Sequence, residues 1–347
     1  MSKKIAILGA GAIGSMISAD LTKAGLDITV IDQWPAQVET MKTQGLHIQL
    51  RNEDLKIRVN ALHLCDLASS NLMFDIVFLA VKGNDHRWMT ELIKPYLKSD
   101  GVLVGTQNGF NDDSIASIIG RERTIGCAME LSGEIFTPGL VQRNTSRPDT
   151  WFGVGELDGA FTPRVREIES ILKIVGKCDV TGNIYGAKWS KLIGNMMTMA
   201  PFGLLGLKNF DAMPLPGMFD ISVQLGKESR LVGNAMGIRI EPVFGLRADE
   251  FWDTKSDVEV TIMKSLMEKV GSQARTAPIH DHIKGRKSEM EYIPGVVSRK
   301  GREFGIPTPF SDTVLEIDRQ INTHEIKMDP SNLDLLKKMV SSPKEST

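Results

Sequence analysis

Cysteine is scarce in this chain. Cys65, Cys127 and Cys178 are too few and too far apart for a disulfide framework or a zinc site. They lead us to expect reduced thiols in a cytoplasmic protein. A basic surplus is also missing, since 41 Lys and Arg face 43 Asp and Glu for a formal net charge of −2. Nucleic-acid binding needs a basic stripe to neutralise phosphates, so no nucleic-acid partner is expected. Long apolar runs are absent too. Lys3 and Lys4 ahead of Ile5–Leu8 imitate a signal peptide, but Gly9, Gly11, Gly14 and the charge at Asp20 break the run. The next candidate, Met196–Leu207, holds Thr198, Pro201 and two glycines. It falls short of the roughly 20 apolar residues that a membrane span needs. The expectation is a soluble chain without a membrane partner, its 347 residues long enough for two domains.

Short apolar runs alternate with amphipathic stretches through the first third, the pattern of a doubly wound, mostly parallel sheet with crossover helices. Ile5–Leu8, Ile28–Ile31, Ile76–Val81 and Val102–Gly105 read as buried strands, being short, continuously apolar and mostly β-branched. Residues 124–181 read as β-rich, punctuated by Gly133, Pro138–Gly139 and Gly153–Gly155. Phe161–Val175 is expected as a helix, with Thr162 as its cap and Pro163 in first position. From Ile184 onward a 3.6-residue periodicity takes over and convincing strands nearly vanish. The boundary is therefore set at Gly182–Asn183, giving an α/β domain over 1–182, a helical domain over 183–340 and a frayed tail over 341–347.

Gly9-Ala10-Gly11-Ala12-Ile13-Gly14 follows the first strand and opens a helix. The first glycine permits the tight turn, the second lets backbone approach a pyrophosphate, and the third lets helix pack on strand. The helix start then offers free N–H groups and a positive dipole end to phosphate. Asp32 ends the next strand, eighteen residues after Gly14. A carboxylate there accepts ribose hydroxyls and repels a 2′-phosphate, and Gln33, Trp34 and Pro35 supply no arginine beyond it. The cofactor expected is NAD rather than NADP; a capping role for Asp32 is the other reading of the same residue. Lys82 follows a third strand, and Gln107-Asn108-Gly109 a fourth. Ligands gather beyond the carboxyl ends of such strands. By themselves, Lys82 reads equally as a solvated lysine and Asn108-Gly109 as a turn.

In the helical half, Lys191, Asn195 and Thr198 are four and then three residues apart and share one helix face. Trp189, Leu192, Ile193, Met196, Met197 and Met199 surround that lysine. Desolvation lowers a lysine pKa toward the range useful for proton transfer, whereas a snorkelling core lysine is the plainer alternative. Glu289 and Tyr292 are expected on one helical face, with Pro294 kinking or ending the run and Glu289 exposed. His280 and His282 flank Asp281, too thin a pattern for a metal site, and read as surface or pocket-rim residues.

Taken in order, these segments resemble the ketopantoate reductase (2-dehydropantoate 2-reductase) family. The resemblance rests on Gly9–Gly14, Val81-Lys82, Gln107-Asn108-Gly109, Trp189-Ser190-Lys191-Leu192-Ile193-Gly194-Asn195, Gly285-Arg286-Lys287-Ser288-Glu289-Met290-Glu291-Tyr292 and Gly305-Ile306-Pro307-Thr308-Pro309. It implies a Rossmann domain followed by an all-helical domain resembling that of 6-phosphogluconate dehydrogenase, with the site between them. The implied reaction moves hydride between a nicotinamide and a 2-keto or 2-hydroxy acid. Lys191 would be the general acid, Glu289 would hold the reactive geometry, and Asn195 would contact the substrate. Lys82 and Asn108 would lie at the edge shared by cofactor and substrate. Two family positions depart. A second asparagine falls on Met199, and a substrate-binding serine falls on Ala277. Both changes remove hydrogen bonds, so a small-molecule substrate other than ketopantoate, larger or more apolar, is expected. A homodimer is the expected assembly. Two alternatives stand beside this reading: an NAD-dependent dehydrogenase of another secondary alcohol in a catabolic pathway, and an NAD(H)-sensing protein without turnover.

Overall fold

The structure, a computed structural model, describes residues 3–50, 52–242, 258–269 and 274–341. The expected tail beyond Ser341 lies outside the described residues. The chain forms two compact units. One holds Met1–Gln107 with Asn111–Ile184, and the other holds Asn108–Phe110 with Tyr185–Thr347. The division thus falls two residues past the expected boundary, and the second unit also claims a three-residue segment from within the first.

The first unit is built on an eight-stranded sheet ordered β12-β11-β8-β7-β6-β1-β2-β5. Its strands are β1 Lys4–Leu8, β2 Asp27–Asp32, β5 Asn60–His63, β6 Phe74–Leu79, β7 Leu97–Gly105, β8 Thr124–Glu130, β11 Trp151–Glu156 and β12 Lys177–Val180. All neighbouring pairs are parallel except β8 with β11. Strand β6 ends at Leu79, so Val81 falls beyond the strand expected to contain it. Residues 46–57, for which no strand was expected, give β3 Leu46–Gln49 and β4 Asp54–Ile57. These two join β9 Gly133–Thr137 and β10 Leu140–Arg143 in a second sheet, ordered β4-β3-β10-β9.

Continuous apolar strands require cover on both faces. Ile5 and Ile7 of β1 pack into one core with Met16 and Ile17 of α1 (Ala12–Lys23), while Ala6 and Leu8 face a second core holding Met89 and Ile93 of α3 (His86–Ile93). The register sets Leu8 beside Ile31 on one side and Leu79 on the other. Gly9 N–H then donates to the Ile31 carbonyl at 2.8 Å, and Ala80 N–H to that of Leu8 at 2.8 Å. The residues that follow β1, β2 and β6 are thereby brought to one sheet edge, at the point where strand order reverses. The helix expected over Phe161–Val175 is α5, Pro163–Leu172, and its cap is Thr162, whose hydroxyl accepts the Val165 N–H at 3.3 Å.

The second unit is helical. Its central element is α6, Ile184–Phe202, whose Trp189, Leu192, Ile193, Met196, Met197, Ala200 and Phe202 are all buried in one core. Around it lie α7 Asn209–Ala212, α8 Met218–Ala235, α9 Val258–Lys269, α10 Ala277–Ile283, α11 Pro294–Phe304, α12 Pro309–Asn322 and α13 Asn332–Ser341. Pro294 begins α11 instead of ending a helix, because proline's missing N–H costs nothing at a first helical position. Residues 290–292 form only a single 3₁₀ turn before it.

Candidate functional site

In the first unit the glycine loop has the geometry that its three glycines imply. Gly9 has φ of +103°, and a Cβ there would lie 2.8 Å from the Val81 Cγ1 and 2.9 Å from Ala80 backbone. A Cβ on Gly14 would fall 1.8 Å from the Gly9 carbonyl oxygen, so this glycine sets the packing of α1 on β1. Gly11 differs. A Cβ built there meets nothing within 4 Å, and no side chain caps the helix that it opens. The fold therefore leaves open space at the second glycine, beside the free N–H groups of a twelve-residue helix.

Asp32, 8% exposed, accepts the Trp34 N–H at 2.7 Å through one oxygen and the Ala10 N–H through the other. It therefore braces the glycine loop and the entry to α2 (Pro35–Thr43). On the far side of the loop, the Ala10 carbonyl accepts from the Ser15 hydroxyl at 3.0 Å and from Gln37 Nε2 at 3.1 Å. Gln37 Oε1 accepts the Gly139 N–H at 2.7 Å, which ties the loop to the turn between β9 and β10. Sequence reading missed Ser15 and Gln37. Both are fully buried, and no motif spacing marks a partner twenty-seven residues away.

Lys82, half-buried, precedes a short 3₁₀ turn, Gly83–Asp85. That turn is pinned by His86, whose Nδ1 lies 2.7 Å from the Gly83 carbonyl and whose Nε2 lies 2.8 Å from the Ser114 hydroxyl. Beyond β7, the Thr106 hydroxyl donates to the Leu79 carbonyl at 2.7 Å, and Gln107 Nε2 donates to the same oxygen. Gln107 Oε1 is buried with no hydrogen-bond donor among the described residues.

In the second unit, Asn195 Nδ2 donates to Asn108 Oδ1 at 3.1 Å. Segment 108–110 is held there by packing as well. The Phe110 ring sits edge-on to Trp189 at 5.2 Å and tilted against Tyr185 at 5.3 Å. Gly109 has φ of +90°, and a Cβ would stand 2.2 Å from the Tyr292 carbonyl oxygen, so only glycine lets this turn approach residues 290–292. Asn108, Asn195 and the stretch bearing Glu289 thus meet within one unit. Lys191, one turn before Asn195, is half-buried, as are Thr198 and Met199. The Thr198 hydroxyl donates to the Gly194 carbonyl at 2.9 Å, which leaves it only acceptor capacity. The more deeply buried lysine of α6 is Lys188, 3% exposed and one turn earlier, a residue that sequence reading did not single out.

Two expectations are corrected here. Glu289 is 2% exposed and lies between helices, not on a solvated helix face. The His282 side chain is 6% exposed and 3.0 Å from Asp318, so of its two expected placements, surface or pocket rim, the surface one is corrected. Ala277 starts α10, and Pro278 beside it packs with Met290 against Gly203 at the end of α6. No group of metal-ligating side chains occurs among the described residues, and no helix among them is long and apolar enough to cross a membrane.

Residues 5–156 match the family model for ketopantoate reductase PanE/ApbA, and residues 183–322 match the model for the C-terminal part of the same family. The chain is 24% identical over 330 residues to the 2-dehydropantoate 2-reductase of Archaeoglobus fulgidus, covering 92% of this chain and 98% of that protein. Among solved structures it is similar to D-mandelate dehydrogenase in ternary complex with NADH and anilino(oxo)acetate. There the TM-score is 0.81 at 20% identity, over 92% of this chain and 99% of that one. The dimeric ketopantoate reductase from Staphylococcus aureus gives a TM-score of 0.71 at 19% identity, over 93% of this chain and 100% of that one. With both family models matched in order along its length, the chain belongs to the ketopantoate reductase family.

Proposed function

We propose that this protein is an NAD(H)-dependent oxidoreductase interconverting a 2-keto acid and a 2-hydroxy acid, with Lys191 as general acid and base. The observation that carries this reading is α6 itself, which bears Lys191 one turn from Asn195, with Asn195 bonded to Asn108 at 3.1 Å. The first unit fits a dinucleotide on separate grounds: open space at Gly11, an uncapped helix start and a glycine loop braced by Asp32, Ser15 and Gln37. A reduced nicotinamide supplies hydride to a carbonyl carbon when bound. Negative charge then develops on the carbonyl oxygen, and an ammonium at Lys191 neutralises it by handing over a proton. In the oxidative direction the neutral amine takes that proton back. Glu289, buried and fixed between helices, orients the acceptor oxygen and the lysine. Asn195 and Asn108 hold polar groups of the acid, and Lys82 and Asp32 serve the cofactor.

Met199 and Ala277 offer no hydrogen bonds where the family resemblance expects an asparagine and a serine. A substrate whose side chain is apolar and bulkier than that of ketopantoate leaves no polar group unpaired at these positions. The D-mandelate dehydrogenase likeness supports the same direction, because the anilino(oxo)acetate bound by that enzyme carries an aromatic group beside a 2-oxo carboxylate. The protein acts in the cytoplasm as a homodimer; light scattering after gel filtration measures the assembly.

A substrate panel tests the reading: NADH or NADPH with pyruvate, ketopantoate, 3-methyl-2-oxobutanoate and phenylglyoxylate, for wild type and Lys191→Ala. NADH with the bulkier acids is expected to turn over fastest, and the variant is expected to lose about 10²–10⁴-fold in kcat. Equal rates in wild type and variant remove Lys191 from the chemistry. Tight NADH binding without turnover anywhere in the panel turns the reading toward a sensor.

A further inference from the structure

Glu289 follows a loop and precedes a single 3₁₀ turn, with φ of −90° and ψ of +18°, and so lies in no regular helix or strand. The residue before it is held by one helix, and the residue after it is held through that residue. Asp318 and Asn322 stand four apart on α12 and share a face. The Ser288 N–H donates to Asn322 Oδ1 at 3.1 Å, and the Ser288 hydroxyl donates to Asp318 Oδ2 at 2.7 Å. Asn322 Nδ2 donates to the same Asp318 oxygen at 2.7 Å, and the Met290 N–H reaches the Ser288 hydroxyl at 3.4 Å. The other Asp318 oxygen faces His282 Nε2 at 3.0 Å, in the last turn of α10 on the far side of the loop. Ser288 and Asp318 are 1% and 4% exposed.

Burying a carboxylate is costly unless its oxygens are filled, and apolar packing would hold two helices together as well or better. Here Asp318 bonds to Ser288, next to Glu289, to Asn322, which itself holds Ser288, and to His282 at the other end of the loop that leads to Glu289. We propose that Asp318 is a positioning residue for Glu289, acting through Ser288 and Asn322, with His282 anchoring the opposite end of the same loop. Ser288 is the link, since its N–H, its hydroxyl and the peptide after Glu289 all enter the node. The inference rests on the reading of Glu289 given above.

The test uses Ser288→Ala, Asp318→Asn, Glu289→Gln and the double variant S288A/E289Q. Each is assayed with NADH and whichever acid of the panel wild type reduces fastest, with NADH affinity and Tm measured alongside. Displacing an orienting group by about 1 Å costs about 100-fold in rate. A kcat loss near that size is expected for Asp318→Asn and a loss of about 10-fold for Ser288→Ala, with KM within about threefold and NADH affinity unchanged. The double variant is expected to be no slower than Glu289→Gln alone, because Ser288 has nothing left to orient. Wild-type kcat in both Ser288→Ala and Asp318→Asn, with Glu289→Gln slow, overturns the inference and leaves the reading of Glu289 standing. Losses that multiply in the double variant also overturn it, since Ser288 then acts independently. If Asp318→Asn fails to fold, Ser288→Ala and the double variant decide alone. Wild-type kcat in Glu289→Gln instead defeats the reading of Glu289, and the inference falls with it, as it does if wild type reduces no acid of the panel.

Discussion

Asn195 on α6 donates to Asn108 at 3.1 Å, and this bond joins two motifs that lie eighty-seven residues apart in the chain. Asn195 is 4% exposed, so removing its acceptor leaves a buried amide without that partner. Asn108→Ala and Asn195→Ala are each expected to lower kcat/KM for the keto acid by about 10–100-fold. NADH affinity, read by fluorescence quenching, is expected to stay unchanged. A loss confined to NADH binding would assign this pair to the cofactor.

The glycine loop predicts opposite outcomes for neighbouring positions. Gly14→Ala drives a methyl to 1.8 Å from the Gly9 carbonyl oxygen and is expected to destabilise the fold by about 3 kcal/mol. Gly11→Ala meets nothing and has an ordinary φ of −64°, so stability is expected to change by less than about 1 kcal/mol. On the proposed reading, however, its methyl enters the space that pyrophosphate would take, and NADH Kd is expected to rise at least about tenfold. Chemical denaturation and NADH titration separate the two. An unchanged Kd in Gly11→Ala places the phosphates elsewhere.

A buried ion network joins α1 to β10. Asp20 lies 2.8 Å from Arg143, whose side chain is fully buried, and 2.8 Å from Arg147. Arg143 also donates to Thr150 at 2.8 Å and to the Val175 carbonyl at 3.2 Å. Burial pulls the Arg143 pKa down and the Asp20 charge opposes that pull. Asp20→Ala strands a buried guanidinium and is expected to cost about 3–5 kcal/mol in urea unfolding. An unchanged midpoint would show that water or Arg147 rearrangement compensates.

Glu228 on α8 caps the start of α12, accepting the Phe310 N–H at 2.7 Å and the Ser311 N–H at 2.8 Å. Burial nonetheless raises its carboxyl above the usual range, and the hydrogen bonds from Ser311 and Phe310 offset only part of that rise. The native state therefore keeps this proton to a higher pH than the unfolded chain does, and its contribution to stability falls as pH rises from about 4.5 through the raised value. Glu228→Gln removes the titration. The stability of the variant relative to wild type is expected to increase from pH 4 to pH 8; a difference independent of pH refutes the shift.

The three thiols differ in burial. Cys65 is exposed, whereas Cys127 and Cys178 are buried, and burial pushes the Cys178 pKa well up. A thiol-specific reagent is expected to modify one cysteine per native chain rapidly and all three in denaturant. Fast reaction of a second thiol in the native protein would contradict the closed packing of β8, β11 and β12.

Sequence alone determined whatever depends on a local backbone demand. Three glycines at fixed spacing can meet only a strand-turn-helix, continuous β-branched runs call for a sheet covered on both faces, and Thr162-Pro163 announces a helix start. Tertiary structure decided what depends on partners far along the chain. Residues 46–57 carry two four-residue strands, β4 paired with β3 and β3 also with β10 some ninety residues on, so their pattern was too weak to read locally. Residues 108–110 sit between elements of the first unit in sequence yet pack with the second, because Trp189, Asn195 and Tyr292 receive them there. Glu289 is polar and flanked by charges, which in sequence reads as exposed. It is nonetheless buried, and the residue before it, Ser288, bonds to Asp318 and Asn322 of α12, partners that no local window contains.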